Sequence, residues 1–340
     1  MLKLPDDWIW DSWIADDGEL YHLFFLKAPR SLVDPGKRHT KATIGHATSG
    51  DLTEWTYRGE VLAPGAGTWD DLALWTGSVV RGDDGVWRMF YTAISTRGHV
   101  LKDQRIGVVE SGDLHNWRRV TDRPVVEADP RWYKTLDEDI SASETWRDPF
   151  VFRDPDGDGW RMLITARAVG AARNDDGVLA EARSDDLRTW EVGPPVCEPG
   201  AGFGQLEVAQ VRVLDGQPVL VFTCHPQEMT DQRKRTSGLF CTWSVVGESV
   251  TGPWDISKAK PFAAEPALFA APFVQQRDGG WAFVGFRNTE PEGIFAFDVL
   301  DPIPVELRDG SLVTGPGVPS HVLDESDVSA HPSANLAGPR

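Results

Sequence analysis

The segment Ser49-Gly-Asp-Leu-Thr-Glu-Trp55 indicates how this chain folds, because near copies of it recur along the sequence. The copies are Ser111-Gly-Asp-Leu-His-Asn-Trp117 and Ser184-Asp-Asp-Leu-Arg-Thr-Trp190, and Thr251-Gly-Pro-Trp254 is a degenerate fourth version. A strand-like run precedes each full copy, and each copy forms a turn. Self-similarity at a spacing of roughly 50 to 75 residues indicates a repeat architecture, in which each copy belongs to one structural unit.

A second repeated element, a Gly beside an Asp between two strand-like runs, occurs five times. Such turns supply the positive φ of tight β-hairpins. Each unit then has four strands and two turns, and no long helical periodicity interrupts them. The five turns are Asp16-Asp-Gly18, Asp83-Asp-Gly85, Asp156-Gly-Asp-Gly159, Asp215-Gly216 and Asp278-Gly-Gly280, with second strands predicted at 20–26, 87–92, 160–165, 218–223 and 281–286.

These units predict an all-β fold, a five-bladed β-propeller with four-stranded antiparallel blades. A two-layer β-sandwich is the competing architecture, but it would not explain the regular copies. We expect the propeller to occupy residues 1–318, with the strand-like segment 306–314 completing or closing a blade. Residues 319–340 are rich in Ser, Asp, His, Pro, Ala and Gly and predict a loosely structured tail.

The charge balance argues against one broad class of partner. Asp and Glu number 52 against 34 Lys and Arg, a net charge of −18, whereas nucleic acid requires a basic face. The three cysteines show neither metal-ligand spacing nor a disulfide framework. Neither an apolar leader segment nor a run of membrane-spanning length is visible. We therefore expect a cytoplasmic protein with no membrane partner, and the oligomeric state is not predicted.

The run from 144 to 152, Glu-Thr-Trp-Arg-Asp-Pro-Phe-Val-Phe, places two charges at the start of an apolar strand. Pro149 directly follows Asp148 and favours an extended conformation there. If the strand is buried, Arg147 and Asp148 must satisfy each other or face a polar cavity, because a lone buried charge is costly. Taken alone, the pair is most simply interpreted as a salt bridge that caps a strand.

The positions of two further carboxylates indicate that Arg147 and Asp148 face a polar cavity and do not merely cap a strand. Counted back from the hairpin turns, Asp11, Asp148 and Glu207 fall at equivalent offsets in units one, three and four. The first strand of each propeller blade lines the axis, so residues at one offset converge on one funnel. Crowding and burial should raise the pKa of one carboxyl, as a general acid requires, while Arg147 keeps another ionised. Cleavage of a glycosidic bond requires such a pair, one protonated carboxyl and one ionised carboxylate. In the remaining two units the offset falls on Trp75-Thr-Gly-Ser78 and Ala270-Ala-Pro272.

These residues resemble the glycoside hydrolases of clan J, families 32 and 68, which include β-fructofuranosidases, levanases and levansucrases. Trp10-Asp-Ser-Trp13 is similar to the nucleophile motif, especially in its family 68 form. The segment from Trp75 through Thr76 to Ser78 resembles a Trp-Ser-Gly-Ser element that lines the fructosyl subsite. Arg147-Asp-Pro149 matches an Arg-Asp-Pro motif of both families. Glu207 stands at the acid/base position, and Gln205 where family 68 usually has a second acidic residue.

The resemblance implies a retaining enzyme acting on β-fructofuranosides such as sucrose or short fructooligosaccharides. Asp11 would attack the anomeric carbon, Glu207 would protonate the leaving oxygen, and Asp148 would stabilise the transition state with support from Arg147. Trp10, Trp75, Thr76 and Gln205 would contact substrate. Water or a second sugar would accept the fructosyl group. Val208-Ala209 departs from the Cys-Pro or Arg-Pro expected after the acid/base, so the leaving-group side is expected to differ.

Two alternatives stay open at this stage. An inverting arabinofuranosidase or xylosidase of family 43 type would use the same three carboxylate types on the same fold, with Asp11 and Glu207 farther apart. A non-catalytic sugar-binding propeller would not require the three carboxylates.

Further candidates carry weaker signals. Trp69, Trp75 and Trp146 are candidate sugar platforms, and Arg287 either reaches the funnel or caps its blade. The histidines show no metal-ligand spacing, and we expect neither a metal nor another cofactor; those considered are His22, His39, His46, His115 and His225.

Overall fold

Five antiparallel sheets follow one another along the chain and form the blades of a propeller. The computed structural model describes residues 1–99, 101–136, 145–262, 268–287 and 298–315. Each blade contains a four-stranded sheet, and the first strands of neighbouring blades contact one another around the axis. The predicted all-β five-bladed propeller is confirmed.

The first four blades are regular meanders of consecutive strands. Blade one contains β1 (Asp7–Asp16), β2 (Tyr21–Pro29), β3 (Thr43–Ser49) and β4 (Thr56–Leu62), and blade two contains β5 (Ala73–Arg81), β6 (Trp87–Ile94), β7 (Gln104–Ser111) and β8 (Arg118–Arg119). Blade three contains β9 (Arg147–Arg153), β10 (Trp160–Arg167), β11 (Gly177–Ser184) and β12 (Glu191–Val192), and blade four contains β13 (Glu207–Leu214), β14 (Gln217–Thr223), β15 (Thr242–Val246) and β16 (Lys260–Pro261).

Blade five is interrupted and closes the ring. Its two inner strands are each split, so that β17 pairs with β20 while β18 and β19 continue into the four-stranded sheet. Backbone bonds of 2.9 and 3.1 Å join Leu2 to Val299, which attaches the start of the chain to this blade. The strands are β17 (Leu268–Phe269), β18 (Phe273–Gln275), β19 (Trp281–Phe283), β20 (Phe286–Arg287), β21 (Ile303–Arg308) and β22 (Ser311–Thr314).

Most predicted strands lie where the turn signals place them, although their ends differ. In blade one the second strand begins one residue later and ends three residues later than the predicted 20–26. The segment 306–314 supplies most of the third and fourth strands of blade five, as expected. The predicted tail, 319–340, lies outside the described residues.

Helical structure is sparse and lies in the connections. The single α-helix of the described chain, α1 (Asp231–Ser237), joins β14 to β15, and none of the helices in the described ranges is long and apolar enough to cross a membrane. The 3-10 helices cover Arg30–Leu32, Pro35–Thr40, Pro226–Glu228 and Ile256–Lys258.

The repeated Ser-x-Asp-Leu turn owes its shape to a carboxylate and a buried leucine. In the second copy, Asp113 accepts backbone N–H bonds of 2.9 and 2.8 Å from the two residues that follow Leu114. These bonds lower the pKa of Asp113 below its ordinary value. Leu114 adopts a φ of 63°, which is unfavourable for a leucine, but its side chain is only 1% exposed. Burial of the leucine therefore offsets the strain, and Leu52 and Leu187 repeat the arrangement.

The hydrophobic core is distributed between the blades. Phe25 and Ile9 of blade one pack with Val284 and Val299 of blade five. A separate cluster joins Val221 of blade four to blade five, and the larger clusters join the remaining blades. Because each sheet is covered by its neighbours, the axial ends of the inner strands are free to carry polar groups.

We predict that Leu114→Ala lowers the free energy of unfolding by about 2–5 kcal/mol, the usual cost of emptying a packed leucine site. Leu101→Ala is the matched control, because Leu101 has a similar φ of 68° but is 42% exposed. The control should cost well under half as much. Guanidinium denaturation measures both, and equal losses would contradict the role assigned to burial of Leu114, because alanine leaves the backbone strain unchanged at both positions.

Candidate active site

The inner strands depart from regular pairing at one level along the propeller axis. The register shifts between Trp10 and Ser12 in β1, between Trp75 and Gly77 in β5, and between Glu207 and Gln210 in β13. In blade three the shift lies opposite Asp148. The extra residue of a β-bulge is unpaired and re-aims its side chain. In β1, β5 and β9 the bulges therefore turn Asp11, Thr76 and Asp148 toward a common funnel. In β13 the paired Glu207 stands directly before the bulge.

Positive backbone angles accompany these bulges. The values of φ are 22° at Asp11, 58° at Asp148, 50° at Val208 and 41° at Ala270. Non-glycine residues rarely adopt such angles, and strained backbone of this kind concentrates at functional sites. Blade five repeats the strain with an alanine, so positive φ occurs at this level in four of the five blades, of which three supply carboxylates. Blade two has the register shift without a positive φ.

Asp11 occupies the bulge of β1. The Thr76 hydroxyl of the neighbouring blade donates to its Oδ2 at 2.6 Å. Burial raises the pKa of Asp11 to about 6; the Thr76 bond opposes this, the charge of Asp148 adds to it, and Arg38 and Arg147 lower the pKa. A hydroxyl bond and two guanidinium groups thus favour the ionised form of a carboxyl that burial would otherwise keep protonated.

Asp148 is anchored on three sides. Thr165 donates to its Oδ2 at 3.1 Å, the backbone N–H of Val208 donates to the same atom at 3.3 Å, and Arg147 Nε lies 3.4 Å away. Its own N–H donates to Thr92 Oγ1 at 2.8 Å. Burial raises the pKa of Asp148 to about 6 against the lowering effect of Arg147. The ion pair expected from sequence is present, and it lies within a larger network.

Arg147 joins the acidic groups of two blades. Its Nη2 lies 2.8 Å from Glu207 Oε1 and also donates to Gln205 Oε1, while Nη1 donates to Gln104 Oε1 at 3.3 Å. Burial raises the pKa of Glu207; Arg147 opposes this, and the charges of Asp11 and Glu228 add to it. Burial therefore raises the pKa of all three carboxyls, and Arg147 opposes that effect at each of them.

A connection that carried no motif supplies further residues to the funnel. The 3-10 helix 35–40 places the Arg38 guanidinium 5.4 Å from the centre of the Trp10 ring and close enough to Asp11 for each to shift the other's pKa. Trp75 Nε1 donates to the His39 carbonyl at 2.8 Å. Burial and the charges of Arg38 and Arg147 lower the pKa of His39 to about 3, so this imidazole is neutral. The sequence offers one signal for Arg38, its place in the connection between the second and third strands. In a propeller blade this connection lies on the same side as the funnel.

The eight predicted site residues are brought together around Asp11 and Arg147, and of the three platform candidates Trp75 is among them while Trp69 and Trp146 are not. Trp146 is fully buried with Nε1 bonded to the Val126 carbonyl, so the expectation that it forms a sugar platform is wrong. Trp69 stacks on Tyr91 within blade two. The side chain of Arg287 lies outside the described part of the structure.

Three of the histidines form a cluster away from the funnel. His22 Nδ1 lies 3.0 Å from His46 Nε2, and the ring of His115 packs against both at 5.4 and 4.9 Å. Burial lowers the pKa of His46 to about 3. Within the described ranges, no group of three or more His, Cys, Asp or Glu residues is arranged to hold a metal ion.

A propeller whose inner strands direct acidic residues into one axial funnel defines a class of protein, the five-bladed propellers equipped for glycoside chemistry. The family is more specific. The model described as "Glycosyl hydrolases family 32 N-terminal domain" matches residues 11–275, and the chain belongs to this family.

Individual relatives agree with this assignment. Fructan 6-exohydrolase of Beta vulgaris is 27% identical over 172 residues, which cover 50% of this chain and 26% of that protein, so the chain matches about a quarter of its length. The inulosucrase from Halalkalicoccus jeotgali bound to kestose superposes with a TM-score of 0.76 at 22% identity, covering 92% of this chain and 90% of that chain. Bacillus subtilis levansucrase gives 0.71 at 16% identity, with coverages of 92% and 87%. The predicted resemblance to clan J is thus confirmed through family 32, and the two superposed structures share the fold.

We predict that Asp11→Asn stabilises the fold at pH 7, by about 3 kcal/mol, and has little effect at pH 4. The pKa of Asp11 is about 6 in the folded chain, above the ordinary 3.8. Below pH 4 the Asp11 carboxyl is protonated in both the folded and the unfolded chain. Between pH 4 and 6 the unfolded chain loses its proton first, so wild-type stability falls as pH rises, while asparagine avoids this cost.

Asp51→Asn is the control for that measurement. Asp51 accepts N–H bonds of 2.9 Å from Thr53 and Glu54, which lower its pKa, so its contribution to stability is present above pH 4 and is lost on acidification. This variant should therefore be destabilised at pH 7. Urea unfolding at pH 4 and 7 measures both, and an Asp11→Asn protein no more stable at pH 7 than wild type would contradict the predicted pKa.

Proposed function

We propose that this protein is a retaining glycoside hydrolase that cleaves β-fructofuranosides, with sucrose or short fructooligosaccharides as substrates. The observation that carries the proposal is the meeting of Asp11, Asp148 and Glu207 in one funnel, each with a raised pKa. Arg147 bridges Asp148 and Glu207, and Thr76 of the neighbouring blade holds Asp11. Membership of glycosyl hydrolase family 32 and the names of the relatives support it.

In the first step, Asp11 attacks the anomeric C2 and forms a fructosyl ester as the bond to the leaving oxygen breaks. Glu207 gives its proton to that oxygen, so the leaving sugar departs as a neutral alcohol. In the second step, Glu207 accepts a proton from the incoming water or sugar hydroxyl, which attacks C2 and releases Asp11. Two inversions leave the anomeric configuration unchanged.

The electrostatics of the site suit this division of roles. With a pKa near 6, Asp11 is largely ionised at neutral pH and is therefore available as a nucleophile. Glu207 lies beside Glu228 and Asp11, and those charges favour its protonated form. Asp148, fixed by Thr165 and Arg147, is suited to accept hydrogen bonds from sugar hydroxyls and to stabilise positive charge that develops on the ring.

Binding is assigned to the groups that surround these carboxyls. Trp75, held by the 35–40 connection, offers a partly exposed indole surface against which a furanose ring packs. Trp10 is buried beneath Arg38 and supports that guanidinium beside Asp11. Thr76, Arg147 and Gln205 supply hydrogen-bonding groups at the same level. The kestose bound to the Halalkalicoccus jeotgali inulosucrase is a ligand of the size proposed here.

The proposal is tested by incubating the protein with sucrose and measuring glucose and fructose separately. Wild type should release both sugars, and Asp11→Ala and Glu207→Ala should each lower the rate at least 1,000-fold, a rough expectation for the loss of a catalytic group that acts with others. Glucose in excess of fructose would indicate fructosyl transfer, and equal release would indicate hydrolysis. Asp51→Ala, far from the axis, is the control and should retain activity.

Two results would contradict the proposal. If sucrose and fructans stay intact while an aryl arabinofuranoside is cleaved with inversion, the family 43 type of reaction takes its place. If the protein binds sugars and cleaves none, it is a carbohydrate-binding propeller.

We further predict that Thr76→Val moves the acidic limb of the kcat/KM profile to higher pH. The Thr76 hydroxyl bond to Asp11 lowers the pKa of that carboxyl, so removing it should raise the pKa above about 6 and make the nucleophile available only in less acidic solution. Thr76→Ser keeps the hydroxyl and should keep the wild-type limb. An unshifted limb in the valine variant would show that Asp11 does not control it.

A further inference from the structure

An axial channel continues beyond the catalytic funnel toward the opposite face of the propeller. It encloses a cavity of about 210 Å³ lined by all five inner strands. Asp148 and Thr76 border one end, and Arg212 of β13 lies four residues further along its strand than Val208. At 3.3 Å per residue this places Arg212 roughly 13 Å from the level of the carboxylates.

Arg212 is a cation in neutral surroundings. Its guanidinium lies 4.9 Å from the centre of the Phe150 ring, and Ile14, Val80 and Val274 line the channel with it. Nε donates to the Phe273 carbonyl at 3.2 Å and Nη1 to the Val211 carbonyl at 3.0 Å. No carboxylate of the described ranges lies within salt-bridge distance. A guanidinium has five N–H donors, so two bonds to neutral carbonyls leave three donors for a ligand of the channel that Arg212 lines.

The charge of Arg212 survives burial. Burial lowers the pKa of the guanidinium to about 10, so the group is still charged at neutral pH. Arg212 is partly exposed, and an anion beside its guanidinium removes part of the cost of holding an uncompensated charge among apolar side chains. A channel of this size holds roughly seven waters at about 30 Å³ each, which leaves room for a small hydrated anion.

We propose that Arg212 forms a binding site for a small monovalent anion, chloride in the first place, in the axial channel. The site is separate from the catalytic funnel and does not depend on the proposed glycosidase activity. Arg212 donors, the Phe150 ring edge and channel water would surround the ion, as the free donors of a guanidinium favour.

Thermal unfolding under chloride titration tests the site. At constant sodium, chloride replaces the much larger sulfonate anion of the buffer HEPES, and tryptophan fluorescence reports the midpoint. For wild type we expect a saturable rise of roughly 2–5 °C, since a ligand that binds only the folded state stabilises it. Arg212→Met should abolish the saturable rise, and Arg212→Lys should retain it with weaker affinity.

Arg81→Met is the matched control, because Arg81 also lies over an aromatic ring, 5.5 Å from Trp87, and donates to a backbone carbonyl, but on the surface. It should titrate like wild type. A wild-type midpoint without saturable chloride dependence, or the same dependence in Arg212→Met, would overturn the proposal.

Bromide gives a direct readout that needs no variant to fold. Crystals of the wild-type protein grown in bromide should show an anomalous peak beside the Arg212 guanidinium. Crystals with ordered bromide on the surface and none in the channel would also overturn the proposal. Neither readout involves sucrose, so failure here is distinguishable from failure of the glycosidase assignment.

Discussion

The carboxylate site depends on an interruption of regular pairing in the inner strands, at one level along the propeller axis. A paired residue in an inner strand lies in the sheet, whereas the unpaired residue of a bulge directs its side chain elsewhere. Asp11 and Asp148 both occupy such positions, and both have positive φ. Each strained residue costs of order 1–3 kcal/mol, which the surrounding structure must offset.

Bonds between blades supply part of that compensation. Thr92 of blade two accepts the N–H of Asp148, Thr76 donates to Asp11 of blade one, and Val208 of blade four donates to Asp148. Two of these contacts also adjust acidity, because Thr76 and the N–H of Val208 donate to buried carboxylates and favour their ionised forms. Fold stability and the chemistry of the site are thus coupled, and the groups that make the carboxyls reactive also hold the blades in register.

Two features of the fold were predictable because their causes are local. The Ser-x-Asp-Leu copies satisfy their own backbone groups within a few residues, and the Asp-Gly hairpins supply positive φ directly, so both leave a pattern along the chain. The carboxyls were predictable through repetition, since equal offsets in equivalent units converge on the axis. Trp146 was misjudged because adjacency to Arg147 in sequence says nothing about which face of the chain turns inward.

The sequence by itself determined the repeat, the number of blades and the residue types at the axial offset, because turn chemistry and hydrophobic patterning act over short distances. Only the tertiary structure decided that Arg38 approaches Asp11, that Arg147 joins Glu207 to Asp148, and that Arg212 lies in a channel without a carboxylate partner among the described residues. These relations join residues of different blades. Their burial and mutual charges depend on how the ring closes, which no local pattern records.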